Sequence, residues 1–498
     1  MAGIQKIKIP VKANELTIEK VEPYLPYILG VFNENKAKVD HFFDVLKNQH
    51  DILKKTRRYE DDSENNNQVV TPYLYEMVRF KTGYAFGNPK EYAQSEMAQT
   101  NGLKYINRYS KDSLERAKDK NVANSVYTAG NGYYFIEPKS ADFDSESEAP
   151  YVIYDKTPDT CAKVYSSYNG EEELFDILVN SYEYKDGNYP KTKTIISIYL
   201  PAMYYEYESS TDTNSFQQVI EKTKPRAIYK MLPLVEKFAN EERIGIVELG
   251  ESLQNSIDRL HSDQLDNVDD LVNELLVFMN TVLGKDQDDE AEFLKNAKRN
   301  GVIVLNDKNP DIKADVKTIT QKLDYNGIIS IIETLKRDLF DSCGVPIPSS
   351  DTSNGTKAGA VEKGNGYDNA YNRILDDYNS FEQADREVLK RKLFIAKSFA
   401  NSKVDDLYAS EIEIKYNPNM SDNMLTKSQS YVNFVEHGVP PVLAIQWCRI
   451  SNDAITPAKQ IEEYKAKLEE EAQNQTATEE LQQQLGINTG NGGNIQNG

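Results

Sequence analysis

The chain has 498 residues, 39% of them hydrophobic and 28% charged. That length predicts several domains or an elongated subunit, and this composition is typical of folded proteins rather than of collagen-like, disordered or membrane classes. The formal net charge of -21, from 79 acidic and 58 basic side chains, argues against a broad phosphate-gripping surface, because such a surface needs clustered Lys and Arg.

No apolar run approaches the roughly 20 residues that a membrane-spanning helix needs, and the opening MAGIQKIKIP lacks the apolar region of a secretory signal. Cys161, Cys343 and Cys448 are isolated, without the CxxC spacing of a zinc site or the density of a disulfide framework. We therefore expect assembly in a reducing cytoplasm, with no membrane partner.

The first part of the chain, up to about Val247, mixes helix and strand signals. Apolar spacing predicts helices over residues 39–53 and 69–80, the second ended by Gly83, Gly87 and Pro89. From Val122 to Tyr207 the pattern changes to short tyrosine-rich strands separated by turn residues. The predicted strands are residues 133–136, 151–154 and 195–200. The fold class expected from this mixture is α+β.

The next stretch is the most regular one, because apolar residues recur at three- and four-residue steps from Leu249 to Val282. This spacing predicts one helix of about 50 Å. Its other positions are mostly acidic: Asp258, Asp263, Asp266, Asp269, Asp270 and Glu274. A small insert with a helix at 291–300 and a strand at 302–305 follows, and then a second amphipathic helix at 328–343.

Residues 348–366 are small and polar, which predicts a mobile loop between helices. A third long helix is predicted at 371–399. The last part predicts a strand at 412–416, helices at 425–435, 442–448 and 457–471, and a disordered tail beyond about residue 476, because that tail has too few apolar residues to offset the entropy of ordering.

Enzyme signatures are missing from the sequence. The four histidines stand in no HExxH or Ser-His-Asp setting, and NGTKAGAVEKG lacks the GxxxxGK[ST] spacing of a phosphate cradle. Paired acids such as Asp269 and Asp270 are better explained as a solvated helix face than as a Mg²⁺ site. We expect no catalytic residue, no metal and no cofactor.

Three stretches, in this order, resemble the siphophage type of the tailed-bacteriophage portal family. Residues 50–89 (HDILKKTRRYEDDSENNNQVVTPYLYEMVRFKTGYAFGNP) are similar to the family's basic segment, Asn-rich step and helix ending in a GY..G.P pattern. Residues 231–248 (MLPLVEKFANEERIGIVE) are similar to the segment that leads into the family's stem helix. Residues 357–364 (KAGAVEKG) are similar to its tunnel loop between two helices.

The resemblance implies a subunit with wing, stem, clip and crown parts. It places the wing at residues 1–248, a stem helix at 249–283, the clip at 284–324, a second stem helix at 325–344 and the tunnel loop at 345–366. A long wing helix at 367–403, a crown at 404–475 and the tail at 476–498 complete the chain.

The resemblance also implies the function and partners. Such a subunit forms a ring of about twelve copies at one capsid vertex, through which DNA is packaged, retained and ejected. The ring works with the terminase motor, head-completion or adaptor proteins, the major capsid protein and scaffold, so the protein is expected in the virion and, during assembly, in the host cytoplasm. Double-stranded DNA passes through it non-specifically.

The residues expected to carry this function lie in three groups. The tunnel loop would face DNA, and acids and bases on the stem helices would line the channel, where carboxylates repel phosphate and let the duplex slide. The clip would contact protein partners. The candidates are Asn354, Gly355, Thr356, Lys357, Ala358, Gly359, Ala360, Val361, Glu362 and Lys363 in the loop; Asp263, Asp266, Asp270, Lys336 and Arg337 in the stem; and Lys295, Lys298 and Arg299 in the clip.

Other interpretations remain open at this point. Lysines in a flexible loop are commonly just solvated, without any role in DNA contact. Long helices also suit a soluble scaffold or adaptor of virion assembly that has no DNA channel. A nuclease or terminase subunit is a third hypothesis, which predicts metal-dependent DNA cleavage. Ring formation with an open channel separates the portal from both.

Overall fold

The computed structural model describes residues 3–56, 66–94, 101–139, 143–168, 172–186, 189–210, 216–226, 231–272, 275–279, 315–319, 325–347, 367–399, 401–419, 424–448 and 460–467. The predicted helix at 291–300, strand at 302–305, loop at 348–366 and tail beyond residue 476 lie outside these ranges.

The α-helices, numbered along the chain, differ widely in length. They are α1 (Ile18–Val21), α2 (Leu25–Leu46), α3 (Tyr73–Phe86), α4 (Asn101–Asp112), α5 (Glu115–Ala129), α6 (Ile246–Val272), α7 (Tyr325–Cys343), α8 (Tyr367–Lys397), α9 (Met424–Glu436) and α10 (Pro441–Cys448). Residues 460–467 are also helical. Short 3-10 helices lie at Ala13–Glu15, Glu22–Tyr24, Asp51–Lys54, Ile220–Lys222 and Ala409–Glu411.

The strands are concentrated between helices α5 and α6, with a few outside. They are β1 (Ile7–Ile9), β2 (Glu91–Gln94), β3 (Asn131–Pro138), β4 (Tyr151–Lys156), β5 (Cys161–Ser166), β6 (Glu173–Asp186), β7 (Tyr189–Tyr199), β8 (Met203–Ser210), β9 (Gln217–Gln218), β10 (Lys224–Pro225), β11 (Leu234–Phe238), β12 (Leu275–Met279), β13 (Asp315–Ile319) and β14 (Ile412–Lys415).

In the described part of the chain the largest sheet has the order β1-β5-β6-β7-β8-β10, with β9 paired to β8. Strand β1 runs parallel to β5, and the long hairpins β5-β6-β7-β8 are antiparallel. A smaller antiparallel sheet has the order β11-β3-β4, and β14 pairs with β2. The architecture is therefore α+β, as the sequence predicts.

The two largest hydrophobic cores hold most of the described elements together. Helix α2 packs over β1, β5, β6 and β7, where Phe32, Ile28 and Phe175 are buried. Helices α3, α5, α6, α7 and α8 bury the other core around Phe381 and Met77. None of the described helices combines the length and apolarity that crossing a membrane requires.

Several elements match their predictions closely. The predicted strands 133–136, 151–154 and 195–200 lie within or overlap β3, β4 and β7. Helices α7, α8, α9 and α10 lie where their apolar periodicity predicts them. These segments share uninterrupted apolar patterns bounded by Gly, Pro or Asn, which explains why the sequence predicts their positions.

The prediction of one continuous helix from Leu249 to Val282 is wrong at residues 275–279. Helix α6 ends at Val272, and Leu275–Met279 is strand β12, paired antiparallel with β13 from Leu275↔Ile319 to Met279↔Asp315. The segment LLVFM explains the difference, because five consecutive apolar residues cover every face of a helix but suit a short paired strand. Strand β12 thus lies before the expected clip boundary at residue 284, while its partner β13 lies within the expected clip at 284–324.

Three smaller predictions are also wrong. Residues 122–129 belong to helix α5 and not to a strand region, and helix α2 begins at Leu25, well before the predicted residue 39. Gly83 does not end α3, which continues to Phe86. A Cβ added at Gly83 would meet nothing within 4 Å, so no close contact requires a glycine there. Its only cost to the helix is the conformational entropy that a glycine loses on folding.

Candidate channel stem and its attachment to the body

Helices α6 and α7 form a pair that joins the strands β12 and β13 to the body. The chain leaves along α6, continues into β12, and after β13 comes back along α7, which packs on α6. Gly250 permits this close packing, because a Cβ there would lie 2.6 Å from a Leu74 methyl and 2.8 Å from a Leu339 methyl. Leu74 belongs to α3, so the base of α6 is wedged between two helices.

The segment before α6 contains a buried bidentate ion pair. Arg243 donates from Nε to Glu236 Oε1 at 2.7 Å and from its terminal nitrogen to Oε2 at 2.9 Å. Glu236 also accepts from Asn131 at 2.8 Å and from the Tyr165 hydroxyl at 2.9 Å. Burial opposes ionisation of Glu236, but the hydrogen bond and charge of Arg243 outweigh it and lower the pKa of Glu236.

The turn between β11 and α6 is closed by the side chain of Asn240. Its amide nitrogen donates to the Ile244 carbonyl at 2.9 Å, and its oxygen accepts from the Ile244 N–H at 2.8 Å. A Cβ at Gly130, whose φ is +99°, would lie 2.0 Å from the Arg243 carbonyl oxygen. The NEERIG segment is therefore held against the α5–β3 turn, and α6 starts from a fixed position.

A second attachment lies near the middle of α6, at the buried Asp258. Its Oδ1 accepts from the Thr71 N–H at 2.9 Å, the Thr71 hydroxyl at 2.6 Å and Gln254 at 2.9 Å. Its Oδ2 lies 2.5 Å from His50 Nδ1, and His50 Nε2 donates to the Val45 carbonyl at 3.1 Å. These bonds fix the segment around residues 50 and 71 to the helix.

A third attachment uses two of the predicted channel carboxylates. Lys55 donates to Asp263 at 3.0 Å and to Asp266 at 2.7 Å, and Asp266 also accepts from the side chain of Asn67 at 2.9 Å. Burial opposes the charge on Asp266, but hydrogen bonds from Lys55 and Asn67 outweigh it and lower the pKa of Asp266. Within one subunit these carboxylates therefore bind the polar residues that border segment 57–65.

The other predicted site residues are placed only in part. Lys336 lies 5.0 Å from the centroid of the Tyr73 ring, and Arg337 is exposed on α7. Asp270 belongs to α6, but its side chain lies outside the described residues. The loop candidates at 354–363 and the clip candidates Lys295, Lys298 and Arg299 lie outside them as well.

Three lysines and three carboxylates are buried together in the body. Lys90 lies 2.8 Å from Asp119 and 2.9 Å from Asp385, while Lys237 lies 2.9 Å from Asp385. Lys392 lies 2.6 Å from Glu115, which is 3.2 Å from Lys90. The hydroxyls of three tyrosines donate to the carboxylates: Tyr92 to Glu115, Tyr134 to Asp119 and Tyr416 to Asp385.

This buried ion cluster joins β2, α5, β11 and α8, and the formal charges of its three lysines and three carboxylates balance. Burial opposes ionisation of Asp385, but Lys237 and Lys90 outweigh it and lower the pKa of Asp385. Burial is also the largest effect on Lys237 and Lys392, and it lowers the pKa of both. The one sequence feature that could have indicated this cluster is Lys237 within the apolar strand LVEKF. A lysine in a strand usually indicates an exposed face, so the sequence does not predict its burial.

The described residues contain no group of three or more His, Cys, Asp or Glu side chains placed to hold a metal ion. The three cysteines are free and buried, and burial raises the pKa of the Cys161 thiol. The described geometry provides an α+β body and a helix pair, α6 and α7, that is attached to it at three places.

Comparisons with known proteins identify the family. The model of the family described as phage portal protein, SPP1 Gp6-like, matches residues 26–474, so the chain belongs to this portal family. One solved structure, titled virion of native gene transfer agent (GTA) particle, contains a chain that is similar at 11% identity with a TM-score of 0.35, over 73% of this chain and 85% of that chain. No curated protein sequence matches significantly.

The family match confirms the portal resemblance and, with it, the class of function. The chain is a virion protein that takes part in an oligomeric ring with capsid proteins and provides the portal channel for DNA packaging at a capsid vertex. The scaffold or adaptor alternative and the nuclease alternative are not supported, because the matched family is a structural portal family and covers nearly the whole chain.

Proposed function

We propose that about twelve copies of the chain form the ring, with α6 and α7 as the stem around the channel and the β12–β13 strands in the clip. The observation that carries this proposal is the course of the chain, which runs along α6 into β12 and comes back from β13 along α7. Such a helix pair places one end of the subunit well beyond the body, where terminase and later head-completion or adaptor proteins have access.

The stem is suited to passage of DNA rather than to its tight binding. Helix α6 carries many more acidic than basic side chains, with Arg259 as its basic residue, and carboxylates facing the duplex weaken its attraction to the wall. Arg337 on α7, with Lys336, supplies a sparse basic belt. Scaffold and major capsid protein are the proposed partners during assembly in the host cytoplasm.

The two helices that border the proposed tunnel loop, α7 and α8, contact each other. Arg373 of α8 donates to the Ser342 carbonyl near the end of α7 at 3.2 Å. A Cβ at Gly344 would lie 2.3 Å from the Arg373 side chain, so the two helices that border the loop meet there. We propose that residues 354–363 face DNA and that Lys357 and Lys363 contact phosphates without sequence preference.

The protein is proposed to catalyse no reaction of its own, so terminase must supply the energy for packaging. Mass photometry and negative-stain electron microscopy of the purified chain test the ring. We expect particles of about twelve subunits with an open centre; a monomer or dimer at every salt concentration would contradict the proposal.

Deletion of residues 354–363 tests the loop separately. Because α7 and α8 already contact each other at Ser342 and Arg373, rings should still form, while packaging of DNA should fail or slow. The matched control is Lys357→Arg with Lys363→Arg, which keeps both charges and should package normally. Normal packaging by the deletion variant would remove the loop from the mechanism.

A further inference from the structure

The carboxyl-terminal helices form a small cluster with a very limited core of its own. Ile445 of α10 is buried, and Tyr431, Val442 and Ile461 pack against it. Among the described residues, these four side chains and the buried Ala444 and Cys448 release little surface from water for a group of three short helices. A contact with another chain would therefore add burial that this cluster lacks among its described residues.

The same cluster exposes large apolar side chains. Phe434 of α9 and Trp447 of α10 pack edge to face, with ring centroids 5.5 Å apart, yet 58% of Trp447 is exposed. Val432 is 47% exposed. Residues 424–448 carry Lys427 and Glu436 as their only Lys, Arg, Asp or Glu side chains in the sequence, and low charge with aromatic anchors is typical of the centre of a protein interface.

The exposed residues lie on two sides of α9. Val432 and Phe434 are two positions apart, which separates them by about 200° around a helix, and Tyr431 faces the cluster core between them. A single added partner would cover one of these sides. A ring of identical subunits contacts each member on two different sides, because its interfaces are head-to-tail.

We propose that the Phe434–Trp447 side of this cluster packs against the Val432 side of the same cluster in the neighbouring subunit. The inference rests on ring assembly, and it adds a specific contact that closes the ring at its carboxyl-terminal end. The sequence after residue 467 is dominated by Glu, Gln, Asn and Gly, so it is a poor candidate to cover these side chains.

Trp447 is the one tryptophan in the chain, so its intrinsic fluorescence reports this contact in the unmodified protein. In rings counted by mass photometry, acrylamide quenching should fall roughly threefold below that of the urea-unfolded chain, because an indole that is 58% exposed in one subunit becomes part of an interface core. Rings with quenching equal to the unfolded chain would overturn the proposal, as would protection that appears only after scaffold or capsid protein is added.

Alanine variants test the two-sided arrangement. Trp447→Ala and Val432→Ala should each raise the concentration at which rings dissociate about tenfold, which corresponds to about 1.4 kcal/mol per interface. Ile220→Ala is the control, since Ile220 is 79% exposed and lies in a different part of the chain. An effect of Trp447→Ala without one of Val432→Ala would overturn the head-to-tail contact. The absence of rings from the wild-type protein would instead reject the proposed function together with this inference.

Discussion

At the scale of single residues, Arg243 shows how one side chain directs the stem. Its two hydrogen bonds to Glu236 and a third to the Glu241 carbonyl at 2.9 Å hold a residue whose φ of 55° lies in the left-handed region. Non-glycine residues rarely adopt that region, so the surrounding bonds offset a strained backbone. The direction of α6 depends on this turn.

Arg243→Lys should destabilise the protein by about 1–3 kcal/mol, because a lysine keeps the charge but loses the paired geometry with Glu236. Denaturant unfolding followed by circular dichroism measures the change. Arg259→Lys is the control, since Arg259 is 78% exposed and pairs with Asp263 on the same helix, and it should change the free energy of unfolding by less than about 0.5 kcal/mol. Equal effects of both substitutions would contradict the role of the bidentate pair.

Asp176 gives a pH dependence with a defined sign. Its Oδ2 accepts from the Leu234 N–H at 2.7 Å, Oδ1 is buried without a hydrogen-bond partner among the described residues, and burial raises the pKa of Asp176 from 3.8 to about 6. Between those two pH values the folded state keeps a proton that the unfolded state has lost. Stability therefore falls as pH rises through this window and levels off above it.

Asp176→Asn removes this titration. The free energy of unfolding of the variant minus that of the wild type should increase by up to about 3 kcal/mol between pH 4 and pH 7. Urea unfolding across this pH range measures it, with the exposed Asp44→Asn as the control. A difference that stays constant with pH would show that Asp176 is not protonated in the folded protein.

At the scale of elements, α6 depends on contacts that its own sequence does not reveal. Asp258→Asn should cost about 2–4 kcal/mol and speed hydrogen exchange along α6, because it weakens the bonds to Thr71 and the pair with His50. Asp263→Asn changes a carboxylate that is 44% exposed and should cost less than about 1 kcal/mol. Similar exchange rates in both variants would show that Asp258 does not anchor the helix.

The sequence predicts the long, regularly spaced elements and misses those that depend on distant partners. Helices α7 and α8 can be predicted because their apolar residues share one face over many turns. Strand β1 is three residues long and pairs with β5, about 150 residues away, so no local pattern indicates it. The end of α6 was missed because Leu275 and Met279 fit a helical spacing while the residues between them do not.

The same limit applies to the candidate site. The sequence indicates that Asp263 and Asp266 lie on a polar helix face, and they do, but it does not reveal that Lys55 and Asn67 cover them. A lysine more than 200 residues away in the chain can be matched to its carboxylate only through the fold. Composition and the order of the motifs along the chain were enough to predict the family. The contacts of Asp263 and Asp266 could be found only from the three-dimensional structure.

At the scale of the whole molecule, the buried ion cluster links parts of the chain that lie far apart. Asp385→Asn should destabilise the protein by about 3–5 kcal/mol, because it leaves Lys237 and Lys90 buried with too little opposing charge. Glu382→Gln, one turn away on the same helix and 40% exposed, is the control and should cost less than about 1 kcal/mol. Thermal unfolding distinguishes them, and equal melting temperatures would show that the cluster contributes little.

The cluster also has a consequence for synthesis on the ribosome. Lys237 precedes Asp385 by 148 residues, and Lys90 precedes it by 295. At about 5–20 residues per second, roughly 7–30 s separate the appearance of Lys237 from that of its counter-charge. During that interval the nascent body cannot bury its lysines at low cost, so it completes folding only after α8 has been translated. Premature termination before residue 385 should therefore yield an incompletely folded product that is cleared by proteases.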